Sequence, residues 1–358
     1  SIGGKILVAI LVIVVVIAAV LLAMKLVKDK NIVETVIGKN NDDGKTVVEI
    51  KEPQTFKGTD RPIAVMIDNH KDAMPQANIS KAYAIYEIIV EGGETRLMAL
   101  YKGQDLEKVG PIRSSRHYFL DYALENDAIY VHFGFSPQAK NDIAKLGVNN
   151  INGIYESEKD FWRVKDKYAP HNAVTNTKKI LEIANRKDYR VTSDKESVLN
   201  YVGDEINLDS KIIANTVTIP YSTSNTVKYE YDEESKTYVR YSRGKKQVDW
   251  DTNKTVTTKN IIITFCKNTR LNDGENKDRQ TIDNIKTLDG YYITNGKAIK
   301  IKCEKTSRAG QTIYKDLEGK EIEVNDGNTF FQICPIDSKV EFEPGEAVAE
   351  NTTTNVIQ

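Results

Sequence analysis

Three cysteines, Cys266, Cys303 and Cys334, are all that 358 residues contain, and no C-x-x-C occurs. An odd number at wide spacing excludes a disulfide framework of the kind that staples small secreted domains, and it lacks the paired spacing of a zinc site. Each is read as a small buried hydrophobe, with one disulfide plus a free thiol as the alternative outside the cell. An excess of charge of either sign is also missing: 50 Lys and Arg balance 51 Asp and Glu, scattered among one another. Without a basic field to neutralise phosphates, nucleic acid is excluded as a partner. Tryptophan is scarce, at 2 residues against 18 Tyr. G-x-S-x-G, H-E-x-x-H, the P-loop and the dinucleotide fingerprint are all absent, which removes the enzyme classes those motifs mark. No internal repeat of fixed period is found, and no cofactor or metal is expected.

What is there begins with an apolar run. Residues Ile6 to Met24 carry no charge and no side-chain amide. As a helix they would span about 28 Å, close to the ~30 Å hydrocarbon core of a bilayer. The run exceeds the roughly 7–15 residues of a signal-peptide core, and Lys25, Leu26, Val27 and Lys28 follow it with no small-residue cleavage pattern. It reads as a single-pass transmembrane anchor over 6–24, with a short flank at 1–5 and the membrane as partner. Lys25, Lys28 and Lys30 follow the span while only Lys5 precedes it, so the positive-inside rule alone keeps the body on the cytoplasmic side. A polar spacer over 25–60, centred on Asn40-Asn41-Asp42-Asp43-Gly44, and a disordered tail over 345–358 bracket the body.

The body changes texture near residue 205. Over 61–205 strands alternate with helices, predicting a mixed α/β domain. Strands are expected at Ile63–Ile67, Tyr83–Val90, Leu97–Tyr101 and Ala128–Phe133. Helices are expected from a Ser114 or Ser115 cap to Glu125, over Pro137–Leu146, and from Thr177 to Asn185 under a Thr175 or Thr177 cap. Over 206–344 strand and turn prevail, predicting a mostly antiparallel β-rich domain, with a hairpin of Lys228–Asp232 and Thr237–Tyr241. Further strands are expected at 261–265, 290–294, 298–303, 311–314 and 329–334.

All four histidines, His70, His117, His132 and His171, fall in the first domain. None shows the i, i+4 spacing of a helical metal pair. The segment Gly110-Pro-Ile-Arg-Ser-Ser-Arg-His-Tyr118 places Arg113 and Arg116 around the expected helix start, where free amides and guanidinium forks suit an anion. The competing reading pairs these arginines internally with Glu87, Glu91 or Glu94. Glu87 and Glu91, on one face of a strand, are read as a glycosidase-like carboxylate pair or as an ordinary Arg-paired surface. The candidate ligand-binding set is Asp68, Asn69, His70, Arg113, Ser114, Ser115, Arg116, His132, His171 and Asn172, gathered in a polar cleft.

The chain resembles the YerB-like family of bacterial lipoproteins. The resemblance rests on R-P-I-A-V-M-I-D-N at 61–69, V-G-P-I-R-S-S-R-H-Y at 109–118, D-A-I-Y-V-H-F-G at 127–134, S-P-Q-A at 136–139, A-P-H-N at 169–172, Y-E-Y-D-E-E-S-K-T-Y-V-R-Y at 229–241 and Y-K-D-L-E-G-K-E-I at 314–322. It implies an exported body at the outer face of the membrane, and supplies no catalytic residues. Family members often use a lipidated Cys, whereas this chain has an uninterrupted apolar run. The expectation is therefore a membrane-anchored extracytoplasmic envelope protein, not an enzyme, that binds an anionic ligand, a cell-wall fragment or an envelope partner protein. The alternatives are a hydrolase of envelope polymers using Asp68 or a Glu with His132 or His171, and a structural or assembly factor with no small-molecule site.

Overall fold

The computed structural model describes residues 51–345. The expected anchor, the spacer up to residue 50 and the tail from 346 lie outside the described residues. Among the described residues no helix is long and apolar enough to cross a membrane.

The principal strands, numbered in chain order, are β1 (Ile63–Asp68), β2 (Ala84–Ile89), β3 (Thr95–Tyr101), β4 (Ile129–His132), β5 (Asn150–Asn152), β6 (Thr216–Ser222), β7 (Asn225–Asp232), β8 (Thr237–Ser242), β9 (Asn260–Cys266), β10 (Thr287–Thr294), β11 (Lys297–Glu304), β12 (Ile313–Lys315) and β13 (Thr329–Pro335). The helices are α1 (Phe119–Glu125), α2 (Pro137–Lys145) and α3 (Thr177–Arg186).

One eleven-stranded sheet runs in the order β12-β11-β10-β9-β13-β2-β3-β1-β4-β5, with Ile212–Ile213 added beside β11. Its seam is the parallel pair β2–β13, from Ala84 opposite Thr329 to Ile88 opposite Ile333. Strands from both halves of the chain therefore share one sheet. The mixed α/β and β-rich textures are present as expected, but they join through backbone hydrogen bonds. A second sheet of six strands is built on β8-β7-β6.

The apolar runs follow from burial on both faces. In β1, Ile63, Val65 and Ile67 enter one core, and Ala64 and Met66 enter the other. The first core lies under the six-stranded sheet and α3, with Val217, Ile219, Val227, Tyr229, Ile180 and Ile183. The second lies under α1, with Tyr118, Phe119, Leu120, Tyr86 and Phe331. A strand covered on both sides has no need of polar alternation. Each fully buried Val, Ile or Leu contributes about 1.5–3 kcal/mol.

Several local expectations are corrected. α1 begins at Phe119 after Tyr118, with no side-chain cap, so neither Ser114 nor Ser115 starts it. α3 is capped by Asn176, whose Oδ1 accepts the Lys179 amide at 2.8 Å, in place of Thr175 or Thr177. α2 has Pro137 in its first turn as expected, and Ser136 caps it by accepting the Ala139 amide at 3.2 Å. Residues 51–60, expected as spacer, dock onto the body. The Gln54 and Thr55 amides each donate to the Asp326 carboxylate at 2.8 Å, and Phe56 meets Tyr83 edge-on at 5.4 Å. All three cysteines are free and buried, which answers the disulfide alternative.

Candidate functional site: an Asp–His–Arg cluster at the end of β1

The segment 109–113 is the keystone. On one side, the Arg113 amide donates to Met66 and the Asp68 amide donates to Pro111, both at 2.8 Å. On the other, Ile112 donates to Ala173 at 2.7 Å and Val109 pairs with Thr175. The strip thus holds the end of β1 beside the segment that follows Ala169-Pro170, and Asp68, Arg113 and His171 meet across it. The backbone of such a strip is satisfied from both sides, so it is a rigid mount.

The Asp68 carboxylate organises the cluster. Its Oδ2 accepts from His171 Nδ1 at 2.7 Å and lies 3.2 Å from Arg113 Nε, while its Oδ1 accepts the His70 amide at 3.0 Å. Exposure rises outward: the Asp68 side chain is 5% exposed, His171 15%, Arg113 27% and His70 33%. Asp68 is therefore a buried anchor, and the histidines and Arg113 present their outer atoms to solvent. The His70 and His171 rings stack with centroids 4.5 Å apart at 15°. Nδ1 of His171 is held by Asp68, which leaves Nε2 facing out.

Arg113 forms its ion pair with Asp68 through Nε, and among the described residues its two terminal nitrogens make no hydrogen bond. Arg96 lies beneath, donating to the Ser114 carbonyl at 2.6 Å. Burial, then the neighbouring Arg116 charge, pushes Arg96 down to about 10, so it remains a cation at neutral pH. Arg96, Arg113 and Arg116 stand against Asp68 and Glu91 in this corner, a local excess of guanidinium.

The other predicted residues go elsewhere. Arg116 makes a bidentate pair with Glu91, Nε to Oε1 at 2.6 Å and Nη2 to Oε2 at 3.0 Å. Burial pushes the Glu91 carboxyl up, but the Arg116 hydrogen bonds and charge hold it net below its ordinary value. Ser114 donates to the Phe133 carbonyl at 3.0 Å, and Ser115, buried, accepts from Tyr130 at 2.8 Å. His132 is buried between the Gly134 carbonyl at 2.7 Å and Asn150 at 3.1 Å, away from the cluster, and burial pushes its pKa down. His117 turns to Thr281 at 2.9 Å. Asn172 accepts from Arg163 at 2.6 Å. Asn69 is buried on Thr95 at 2.8 Å and Glu87 at 3.1 Å. Glu87 itself is fully buried against Arg240 at 2.5 Å. With Glu91 beyond the end of β2 and tied to Arg116, the two carboxylates do not face a common space as a glycosidase pair requires.

Sequence reasoning missed Asp72, Arg96 and Arg240. Asp72 stands 3.4 Å from His70 Nδ1. Nothing in the sequence brings His70 to His171. Beyond this cluster, Phe133, Phe161, Trp162 and Arg163 together with Ile154, Glu156 and Glu158 line a groove of about 700 Å³.

The N-terminal family model described as a protein of unknown function (DUF3048) matches residues 50–190, and its C-terminal counterpart matches 217–331. The chain belongs to the DUF3048 family. The change of texture near residue 205 falls between the two matches. "Putative lipoprotein YerB" of Bacillus subtilis (strain 168) is 29% identical over 320 residues, spanning 85% of this chain and 92% of that protein. The crystal structure of YerB from Bacillus subtilis superimposes with a TM-score of 0.71 at 29% identity, covering 79% of this chain and 94% of that one. The YerB-like resemblance read from the sequence motifs is thus shown.

Proposed function

We propose that this DUF3048 protein is held at the outer face of the membrane through residues 6–24 and binds an anionic group of the cell envelope, a carboxylate or phosphate on a wall fragment, at the Asp68–Arg113–His171 cluster. The observation that carries the reading is Arg113. Its Nε is fixed by Asp68, while among the described residues its terminal nitrogens make no hydrogen bond and the side chain is partly exposed beside two histidines. A guanidinium fixed at one nitrogen is pre-oriented for a bidentate anion, which lowers the ordering cost of binding. The excess of arginine in this corner adds a favourable field. The relative's name as a lipoprotein supports the location.

The Asp68–His171 pair is the feature that favours the hydrolase alternative. A Ser, Thr or Cys nucleophile on the outer nitrogen of His171 is not found among the described residues' hydrogen bonds, and His132 is too deeply placed to serve. Binding is therefore the preferred reading.

The test compares wild type with Arg113→Ala for retention on isolated anionic wall fragments, with thermal unfolding alongside. Wild-type retention that falls about tenfold or more in the variant, at unchanged unfolding temperature, supports the reading; a loss of about 1.5–3 kcal/mol for a charged hydrogen bond sets that scale. Failure of wild type to bind, or equal binding by the variant, overturns it. The anchor is tested by membrane fractionation and by protease access to the body in intact cells.

A further inference from the structure

We propose that His70, Asp72 and His171 form a binding site for a divalent first-row transition metal, Zn²⁺ or a close analogue, with an open coordination position beside Arg113. One ligand atom from each of the three lies within 4.8 Å of the others. The His70 Nδ1–Asp72 Oδ2 separation is 3.4 Å. Two ligand atoms that each sit about 2.1 Å from one tetrahedral ion are separated by about 3.4 Å, so this pair is already spaced for coordination. Joint ligation requires the His171 and His70 rings, now stacked at 15°, to rotate out of the stack, and His70 Nδ1 to release the Asp72 amide it accepts at 3.3 Å.

The independent sign of a built site is Asp68. It accepts from His171 Nδ1 at 2.7 Å and is itself almost fully buried. This carboxylate–histidine relay sets the tautomer, leaves the Nε2 lone pair outward and raises the basicity of the ligand. The same carboxylate holds the His70 amide at 3.0 Å, so one buried group positions both histidines. Two imidazoles and one carboxylate suit zinc, copper or nickel better than magnesium or calcium. Charge bears on the fourth ligand: the corner already holds an excess of guanidinium, so a bound dication would leave a net positive centre that an anionic fourth ligand offsets.

This site deepens the anion-binding reading and rests on it only for the identity of the fourth ligand. Metal uptake is therefore measured on the full-length chain in detergent with Zn²⁺ and Co²⁺ alone, no wall fragment being present. The expected result is one ion per chain, with the visible absorption of tetrahedral Co²⁺ displaced by Zn²⁺. His70→Ala and His171→Ala lose the signal, and Asp68→Asn weakens affinity about 10–100-fold. His70 and Asp72 are exposed enough that His70→Ala and Asp72→Ala retain the wild-type unfolding transition, which separates lost ligation from lost folding. Absence of stoichiometric uptake, or uptake that persists in the His70→Ala/His171→Ala double variant, overturns the site. Metal uptake without wall binding leaves this site standing and removes the anion reading; wall binding without metal does the reverse.

Discussion

His171 donates through Nδ1 to the Asp68 carboxylate at 2.7 Å, across 103 residues of chain. The contact ties the end of β1 to the turn after Ala169-Pro170. It forms because residues 109–113 pair with both neighbours at once. Asp68 has its acceptors taken by His171, Arg113 and the His70 amide, so its role is to position these groups rather than to react.

The buried pair Glu87–Arg240 should be the costliest polar feature to break. Both side chains are 0% exposed, and they join the large sheet to the six-stranded sheet, with Gln332 donating to Glu87 at 3.1 Å and to Tyr229 at 2.9 Å. Removing one partner leaves the other charge without its counterion in a dry core, so Arg240→Met should lose about 3–5 kcal/mol by urea denaturation. The double variant Glu87→Gln/Arg240→Met should recover much of that loss. Additive losses in the cycle would show that the two groups do not depend on one another.

Arg116 should behave as a structural residue with a pH signature. Its pair with Glu91 is largely shielded, at 13% and 21% side-chain exposure, and Arg116→Ala should cost about 1–2 kcal/mol at neutral pH. Because Glu91 is held below its ordinary value of 4.5 in the folded state, the unfolded chain takes up its proton first as the solution is acidified. The stabilisation is present above pH 4.5 and is lost as pH falls through the lowered folded value. Denaturant midpoints of wild type and Arg116→Ala should therefore converge as the pH falls below 4.5 and through the lowered folded value. A gap that stays constant with pH would assign the loss to packing instead.

Ser115 should prove to be a packing partner. Its hydroxyl is the acceptor for the buried Tyr130 phenol at 2.8 Å. Ser115→Ala leaves that phenol short of a partner and should cost about 1–3 kcal/mol, read as a lowered unfolding temperature. Retention on wall fragments should be unchanged below that temperature. Lost retention in a fully folded variant would return Ser115 to the site.

Much of the secondary structure was legible locally. Alternation in Lys228–Asp232 and Thr237–Tyr241 marked the hairpin, and its register does place Asp232 opposite Thr237. Pro137 and Gly147 bounded α2 because first-turn prolines and terminal glycines act within a few residues. The Ser114–Ser115 cap failed for a long-range reason: the tertiary fold offered those hydroxyls Phe133 and Tyr130, and the helix began later. Arg240 was hidden in the hairpin because alternation defines two faces without saying which is buried. Its face turned inward because Glu87 waited on the opposing sheet.

By itself, the sequence determined the apolar run at 6–24, the turn-bounded strands, the two textures and the YerB-like motifs, since each rests on neighbours in the chain. Tertiary structure alone decided that both halves share one sheet, that Arg116 and His132 serve the framework, and that Arg113 and His171 join His70 on Asp68. The reason is physical: such convergence is set by sheet order and strand register, which depend on contacts a hundred or more residues apart that no local pattern encodes.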